Sequence, residues 1–266
     1  MNKLFKLLLS GFLAFSLFGC GGNEEPKEKV FIEDKEIGSL YSKPDNFVGK
    51  YVKLTGKIFS IEEDGDDVFF QMWHDPINGK QNTIIMTTAE IFGDLKEDDY
   101  VELTGYVDGT YEGENMMGGT ITAPQIVAEE VEKSSYKDVV APTTKEVEIN
   151  QTLNSNTSGV TVTLQKIEFA DNETRAYVLI DNQSSDEYCF YLYESKLIQN
   201  SKQYTLEYNY EADYEQIETD IPSGVKEEGV LSFKNIDQAS LQLMCEGHSD
   251  NWDIDSDLFV FNVEVE

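Results

Sequence analysis

Five side chains on two neighbouring segments have the types and spacing for a contact surface: Lys57, Phe59, Phe69, Gln71 and Trp73. Val52, Leu54 and Ile58, and then Val68, Phe70 and Met72, occupy alternate positions, so a period-2 backbone turns the five named residues to the opposite face. An aromatic face of this kind stacks on a base, a sugar ring or a peptide side chain. The competing use is internal, with residues 31–48 or a second domain covering the same rings. Other reactive side chains are few. The chain holds Cys20, Cys189 and Cys245, two histidines (His74 and His248) and one arginine, Arg175. No Cys-x-x-Cys or His-Glu-x-x-His spacing supports zinc, and His74 and His248 read as loop residues. Nucleophile-elbow, Walker and dinucleotide-type glycine patterns are absent from the sequence. Asp253, Asp255 and Asp257, with Glu264, have the spacing of an EF-hand loop. Leu258, however, stands where that loop needs glycine, and Phe259, Phe261 and Val263 alternate as a strand. The expectation is no catalytic residue, no metal and no cofactor.

Charge narrows the partners. Lys and Arg number 20 against 51 Asp and Glu, a formal net charge of −31. The acidity is spread along the chain: residues 30–135 carry 8 basic and 22 acidic side chains, and residues 145–266 carry 7 and 25. Neutralisation of phosphates by Lys and Arg supplies most nucleic-acid affinity, so no nucleic acid is expected as a partner. An anionic bilayer is repelled for the same reason, so holding such a chain at a membrane takes a lipid rather than a basic patch.

The N-terminus supplies a means of anchoring. Lys3 and Lys6 precede a run from Leu7 to Phe18 that is almost wholly apolar, and Leu17-Phe18-Gly19-Cys20 closes it. A charged start, an apolar stretch of roughly 7–15 residues and small residues at its end mark a secretory signal, whereas a membrane span needs about 20. The Leu-x-Gly-Cys ending resembles the lipobox of bacterial lipoproteins. That resemblance implies removal of residues 1–19, a diacylglyceryl group on the Cys20 sulfur and an outward-facing place on the cell membrane. Loss of Lys3 and Lys6 would take the net charge from −31 to −33. Residues 20–30 read as a polar tether. In an exported chain Cys189 and Cys245 have two uses open to them, as a disulfide or as separate buried thiols.

Residues 31–135 read as an all-β domain. Ile37, Leu40, Tyr41, Pro44 and Phe47 suggest a short helix and a turn. Strands follow over residues 52–58, 68–73, 83–87, 100–107 and 121–131, with a short helix capped by Thr88 between the third and fourth. The phrase Val-x-Leu-Thr-Gly occurs twice, at Val52–Gly56 and Val101–Gly105, and a glycine inside each strand suits the coiling of a small barrel. Five short strands with one helix resemble the exported OB-fold modules grouped near the anticodon-binding-like family, which implies a five-stranded barrel.

Residues 136–144 read as a linker and residues 145–266 as a second β domain. Val160–Leu164, Thr174–Ile180, Tyr188–Tyr193, Ser195–Gln199, Leu206, Val230–Phe233, Leu241–Cys245 and Phe259–Val265 recur at sandwich intervals. The phrases Val160–Leu164, Ala176–Asn182, Ile221-Pro-Ser-Gly224 and Gly229-Val-Leu-Ser-Phe233 resemble an Ig-like domain of unknown function found in Gram-positive secreted lipoproteins. That resemblance implies an extracellular β-sandwich with a binding or adhesive role. The fold expected is thus all-β, an OB-like barrel followed by an Ig-like sandwich. The function expected is that of a lipid-anchored extracellular module binding a protein, peptide or glycan. An envelope enzyme or accessory subunit and a structural spacer are the alternatives.

Overall fold

Alternating apolar residues close the first five strands into a barrel. The computed structural model describes residues 28–114 and 119–265; the run read as a signal, Cys20 and most of the segment read as a tether lie outside the described residues. Strands β1 (Tyr51–Asp64), β2 (Asp67–Asp75), β3 (Lys80–Thr88), β4 (Tyr100–Glu114) and β5 (Thr120–Ser134) form a ring in the order β1-β2-β3-β5-β4. β3 and β5 run parallel and every other pair is antiparallel. The two Val-x-Leu-Thr-Gly phrases are partners in one ladder: Val52 faces Gly105, Leu54 faces Leu103, and Gly56 faces Val101. Their inward side chains join Ile58, Val68, Phe70, Met72, Ile85, Val107 and Ile126 in the barrel core. Full burial of each large apolar side chain contributes about 1.5–3 kcal/mol. Helix α1 (Ile37–Ser42) and a 3-10 turn at Pro44–Phe47 place Leu40 and Phe47 in this core. Helix α2 (Ala89–Phe92) starts at Thr88, whose hydroxyl accepts the Ile91 amide, and it adds Phe92.

The remaining strands build a sandwich. One sheet runs β13-β8-β7-β6, from β6 (Thr143–Asn154), β7 (Val160–Ala170), β8 (Glu173–Asn182) and β13 (Lys226–Lys234). In the other, β14 (Leu241–Ser249) pairs with β15 (Asp257–Val263) on one edge. On its other edge it pairs with β10 (Lys196–Gln199) and β9 (Tyr188–Phe190), two pieces of one strand broken by a 3-10 turn at Leu192–Glu194. Short strands β11 (Lys202–Thr205) and β12 (Asp220–Ile221) extend that sheet. With β6 set aside, β7-β8-β13 against β9/β10-β14-β15 is the A-B-E against C-F-G arrangement of immunoglobulin-type sandwiches. Val162, Phe169, Val178, Phe190, Phe233, Leu243 and Phe261 fill the space between the sheets. Asn182 pins the turns at one end, donating to the carbonyls of Ile221 (2.8 Å) and Asp186 (2.9 Å). The all-β class expected is what the structure has.

The segment read as a linker is built into the fold. Helix α3 (Tyr136–Val139) is capped by Ser135, β6 starts at Thr143, and Ala141 has no exposed surface. Periodicity is hidden there because the helix is a single turn and β6 alternates half-buried with exposed residues, burying none fully. Tyr136 and Ala141 pack with Tyr100 of β4 and Ala170 of β7 in a small third core. The Tyr100 and Tyr136 rings meet edge to face at 5.8 Å, and those of Tyr136 and Tyr214 at 5.9 Å. Contacts therefore run through from Phe31 to Glu266 as one unit.

Beside this core lies a network of buried charge on the outer face of the β7-β8 hairpin. Arg175 has no exposed surface and donates to Glu168 (3.0 Å), Glu173 (2.6 Å), the Ala141 carbonyl (2.9 Å) and Thr143 (2.8 Å). Glu168 also accepts from Lys137 (2.7 Å), Lys166 (2.6 Å) and Tyr177 (3.0 Å). Tyr214 donates to Glu173. A buried ion pair is tolerable when its remaining hydrogen-bonding positions are filled, and here seven partners fill those of Glu168 and Arg175 between them.

Candidate functional site

The outer face of the barrel gathers the five residues singled out in the sequence. In the β1·β2 ladder Lys57 faces Trp73, Ser60 faces Gln71 and Glu62 faces Phe69. A register shift between Ile58 and Ser60 makes Phe59 a bulge residue. The bulge directs the Phe59 ring onto Trp73, with centroids 4.2 Å apart and planes 14° apart. Aromatic pairs contribute about 0.5–1.5 kcal/mol beyond burial. All five residues are half-buried, so the face is neither fully open nor sealed. From residues 31–48, Ile32, Ile37, Leu40 and Phe47 pack on the barrel core.

Two of the five have internal partners. Lys57 forms ion pairs with Asp98 (3.1 Å) and with Glu211 (2.6 Å), a residue of the sandwich. Burial opposes its charge, but the two carboxylates outweigh that and raise its pKa. Its role is to join barrel and sandwich, so of the five it is the least available to a ligand. Gln71 accepts from the Asn82 amide at 3.1 Å. The third row of the face comes from β3, where Asn82 faces Trp73, Ile84 faces Gln71 and Met86 faces Phe69. Ile84 and Met86 were legible only as part of an apolar run (Thr83–Thr87), with no sign of which face each would take. The result is a platform with the Phe59–Trp73 stack near one end and Phe69 towards the other, Gln71 between them, and Lys57 and Asn82 at the Trp73 end. Its chemistry is that of stacking and edge hydrogen bonds.

The cysteines do not pair. Cys189 and Cys245 are both free. They lie on adjacent strands of one sheet, but Cys189 faces His248, three positions from Cys245. An odd offset puts the two side chains on opposite faces. Cys245 points into the sandwich core, where burial pushes its pKa up to about 12. Cys189 is half-buried, and burial together with Asp220 raises its pKa too. Neither is a poised thiolate.

Both histidines are on strands rather than loops. His74 is the penultimate residue of β2, with Nδ1 2.7 Å from the Thr55 carbonyl and its ring stacked on Tyr41 at 5.8 Å. It lines an open recess of about 370 Å³ with Asp34, Lys53 and Glu102. His248 lies on β14 with its ring 4.7 Å from Trp252. Of the EF-hand-like residues, Asp257 begins β15 and accepts from the hydroxyls of Ser155 (2.5 Å) and Thr157 (3.1 Å), tying down the β6–β7 turn. Among the described residues no group of three His, Cys, Asp or Glu could hold a metal ion, and no helix is long and apolar enough to cross a membrane.

No family model and no curated protein matches the chain. A solved structure described as a functionally unknown protein from Listeria monocytogenes EGD-e is similar to it at 11% identity, over 47% of this chain and 88% of that one, with a TM-score of 0.36.

Proposed function

We propose that this chain is a surface lipoprotein, held by a lipid on Cys20, whose OB-type barrel binds an extracellular protein, peptide or glycan across its outer aromatic face. An Ig-like sandwich carries that barrel. The observation behind the reading is the Phe59–Trp73 stack, which a β-bulge brings together on a surface left half-open to solvent. Apolar patches left at a protein surface commonly mark interaction sites. The signal run ahead of Cys20 and the acidic surface fit a chain held by acylation rather than by charge.

Two measurements test it. Residues 28–266 should bind components of the cell envelope, screened as purified wall polysaccharide and as a surface-peptide library. Phe59→Ala with Trp73→Ala should weaken that binding tenfold or more, since each lost aromatic contact costs about 0.5–1.5 kcal/mol beyond its burial and 1.4 kcal/mol is a factor of ten. Unchanged binding would remove the barrel face from consideration. Micromolar oligonucleotide binding that weakens with salt would return nucleic acid as the ligand. Separately, Cys20→Ser should release the chain from membranes, and a variant retained after a salt wash would end the lipoprotein reading.

A further inference from the structure

The sandwich carries a second aromatic surface, built from residues that no core absorbs. Tyr193, at the turn that breaks β9 from β10, and Tyr208 lie 6.1 Å apart with planes 25° apart. Tyr208 and Tyr210, on the loop after β11, follow at 5.0 Å and 33°. They are 71%, 44% and 86% exposed. Three rings in a row left facing water form an apolar strip that folding alone does not call for. The recess beneath Tyr208 measures only about 20 Å³, room for about one water. A ligand therefore lies across the row rather than inserting a side chain.

The charge around the row selects the ligand. Between Leu206 and Glu218 stand five carboxylates (Glu207, Glu211, Asp213, Glu215, Glu218) and no Lys or Arg, and Glu194 adjoins Tyr193 in sequence. Two lysines that reach this region are already matched with acids. Lys196 lies 3.7 Å from Glu194 and 4.0 Å from Glu246, and Lys57 is held by Glu211 and Asp98. Ring faces carry negative quadrupole density and attract ammonium and guanidinium groups within about 6 Å. Surrounding carboxylates raise the local concentration of cations. The same carboxylates repel an anionic ligand, and a neutral sugar has no use for them.

We propose that the Tyr193–Tyr208–Tyr210 row is a second binding surface, distinct from the barrel face, that takes a Lys- or Arg-containing segment of an extracellular polypeptide in extended form. Spacing agrees with this. Side chains on one face of an extended strand recur about every 6.6 Å, close to the 5.0–6.1 Å between rings. Cations at alternate positions of the peptide then sit over successive tyrosines.

The test uses residues 28–266, the part that holds all three cores. A labelled peptide of alternating Lys and Gly is titrated by fluorescence anisotropy at two salt concentrations. Wild type should bind, with affinity falling as salt rises. The Tyr193→Ala, Tyr208→Ala, Tyr210→Ala triple variant should bind at least tenfold more weakly, although its charge is unchanged. The Tyr193→Ala, Tyr210→Ala pair, confined to the two most exposed rings, should show most of that loss with an unaltered melting temperature. Phe59→Ala with Trp73→Ala should leave this affinity as it was, which separates the result from the barrel reading. Equal affinity in wild type and triple variant would overturn the proposal, reducing the interaction to bulk charge. Absence of binding by wild type would overturn it too. So would salt-independent binding of cellohexaose that the triple variant loses, since the row would then be a sugar platform.

Discussion

Arg175 and Glu168 illustrate at the scale of single residues how charge can be placed inside an all-β protein. Both lack exposed surface, and each is tied to several partners. Removing one member of such a pair leaves the other charge buried and unmatched, which typically costs about 3–5 kcal/mol. Arg175→Met should lose about that much stability, read from urea unfolding. Burial alone would raise the Glu168 pKa. Hydrogen bonds from Lys137, Lys166, Tyr177 and Arg175 outweigh it and hold the carboxyl well below the ordinary glutamate range. The folded value thus lies below the unfolded one, about 4.3. The stabilisation is complete above about pH 4.3 and is lost as pH falls towards the folded value. Glu168→Gln should therefore melt well below wild type at pH 7, with the gap closing under about pH 4. A gap independent of pH would show that the Glu168 charge contributes nothing.

Strands in this molecule are shaped by what their glycines leave out. Gly56 and Gly105 sit opposite Val101 and Val52 in the β1·β4 ladder, at mirrored ends of the paired phrase. A Cβ on Gly56 would lie 2.6 Å from the Trp73 carbonyl oxygen, and one on Gly105 would meet the Val127 carbonyl and lie 2.8 Å from the Ala128 Cα. Those atoms are backbone and cannot swing aside. Gly56→Ala and Gly105→Ala should each destabilise the barrel by about 1–3 kcal/mol, the usual effect of overpacking. Gly38, on α1, has nothing within 4 Å of the same position. Gly38→Ala should stabilise by about 0.5–1 kcal/mol, because glycine is the poorer helix former. Thermal melts of the three variants decide the matter. Two short helices show the same economy of local design, since Thr88 and Ser135 each cap a helix of a single turn.

For the whole molecule the decisive feature is where the barrel ends and the sandwich begins. Tyr136, Ala141 and Thr143 precede residue 145, yet Tyr136 and Ala141 form the third core, and the Ala141 carbonyl and Thr143 hydroxyl accept from Arg175. Lys137 adds a bond to Glu168. A sandwich fragment starting at residue 145 loses all of these, whereas one starting at residue 135 keeps them. Residues 135–266 should unfold cooperatively and at a higher temperature than residues 145–266. Equal melting temperatures would place the boundary back at the start of the alternating pattern. Lys57–Glu211 and the Tyr100–Tyr136 contact then remain as the links lost when the barrel is cut away.

The sequence by itself determined the β class, the barrel strands with their capped helix, most of the sandwich strands and the face on which Phe59, Phe69, Gln71 and Trp73 lie. All of these follow from period-2 alternation, a local property that neighbouring residues carry. Strand β6 escaped because none of its residues is fully buried, and strands β11 and β12 because four and two residues are too few for a period. Only the tertiary structure decided which residues meet. It set the two Val-x-Leu-Thr-Gly phrases against each other, turned Phe59 onto Trp73 through a bulge and parted Cys189 from Cys245 by an odd offset. It also drew Lys57 to Glu211, 154 positions away, and enclosed Arg175 between two carboxylates. Register and long-range pairing depend on the sum of many weak contacts between distant segments, and a single chain's pattern of residues does not record that sum.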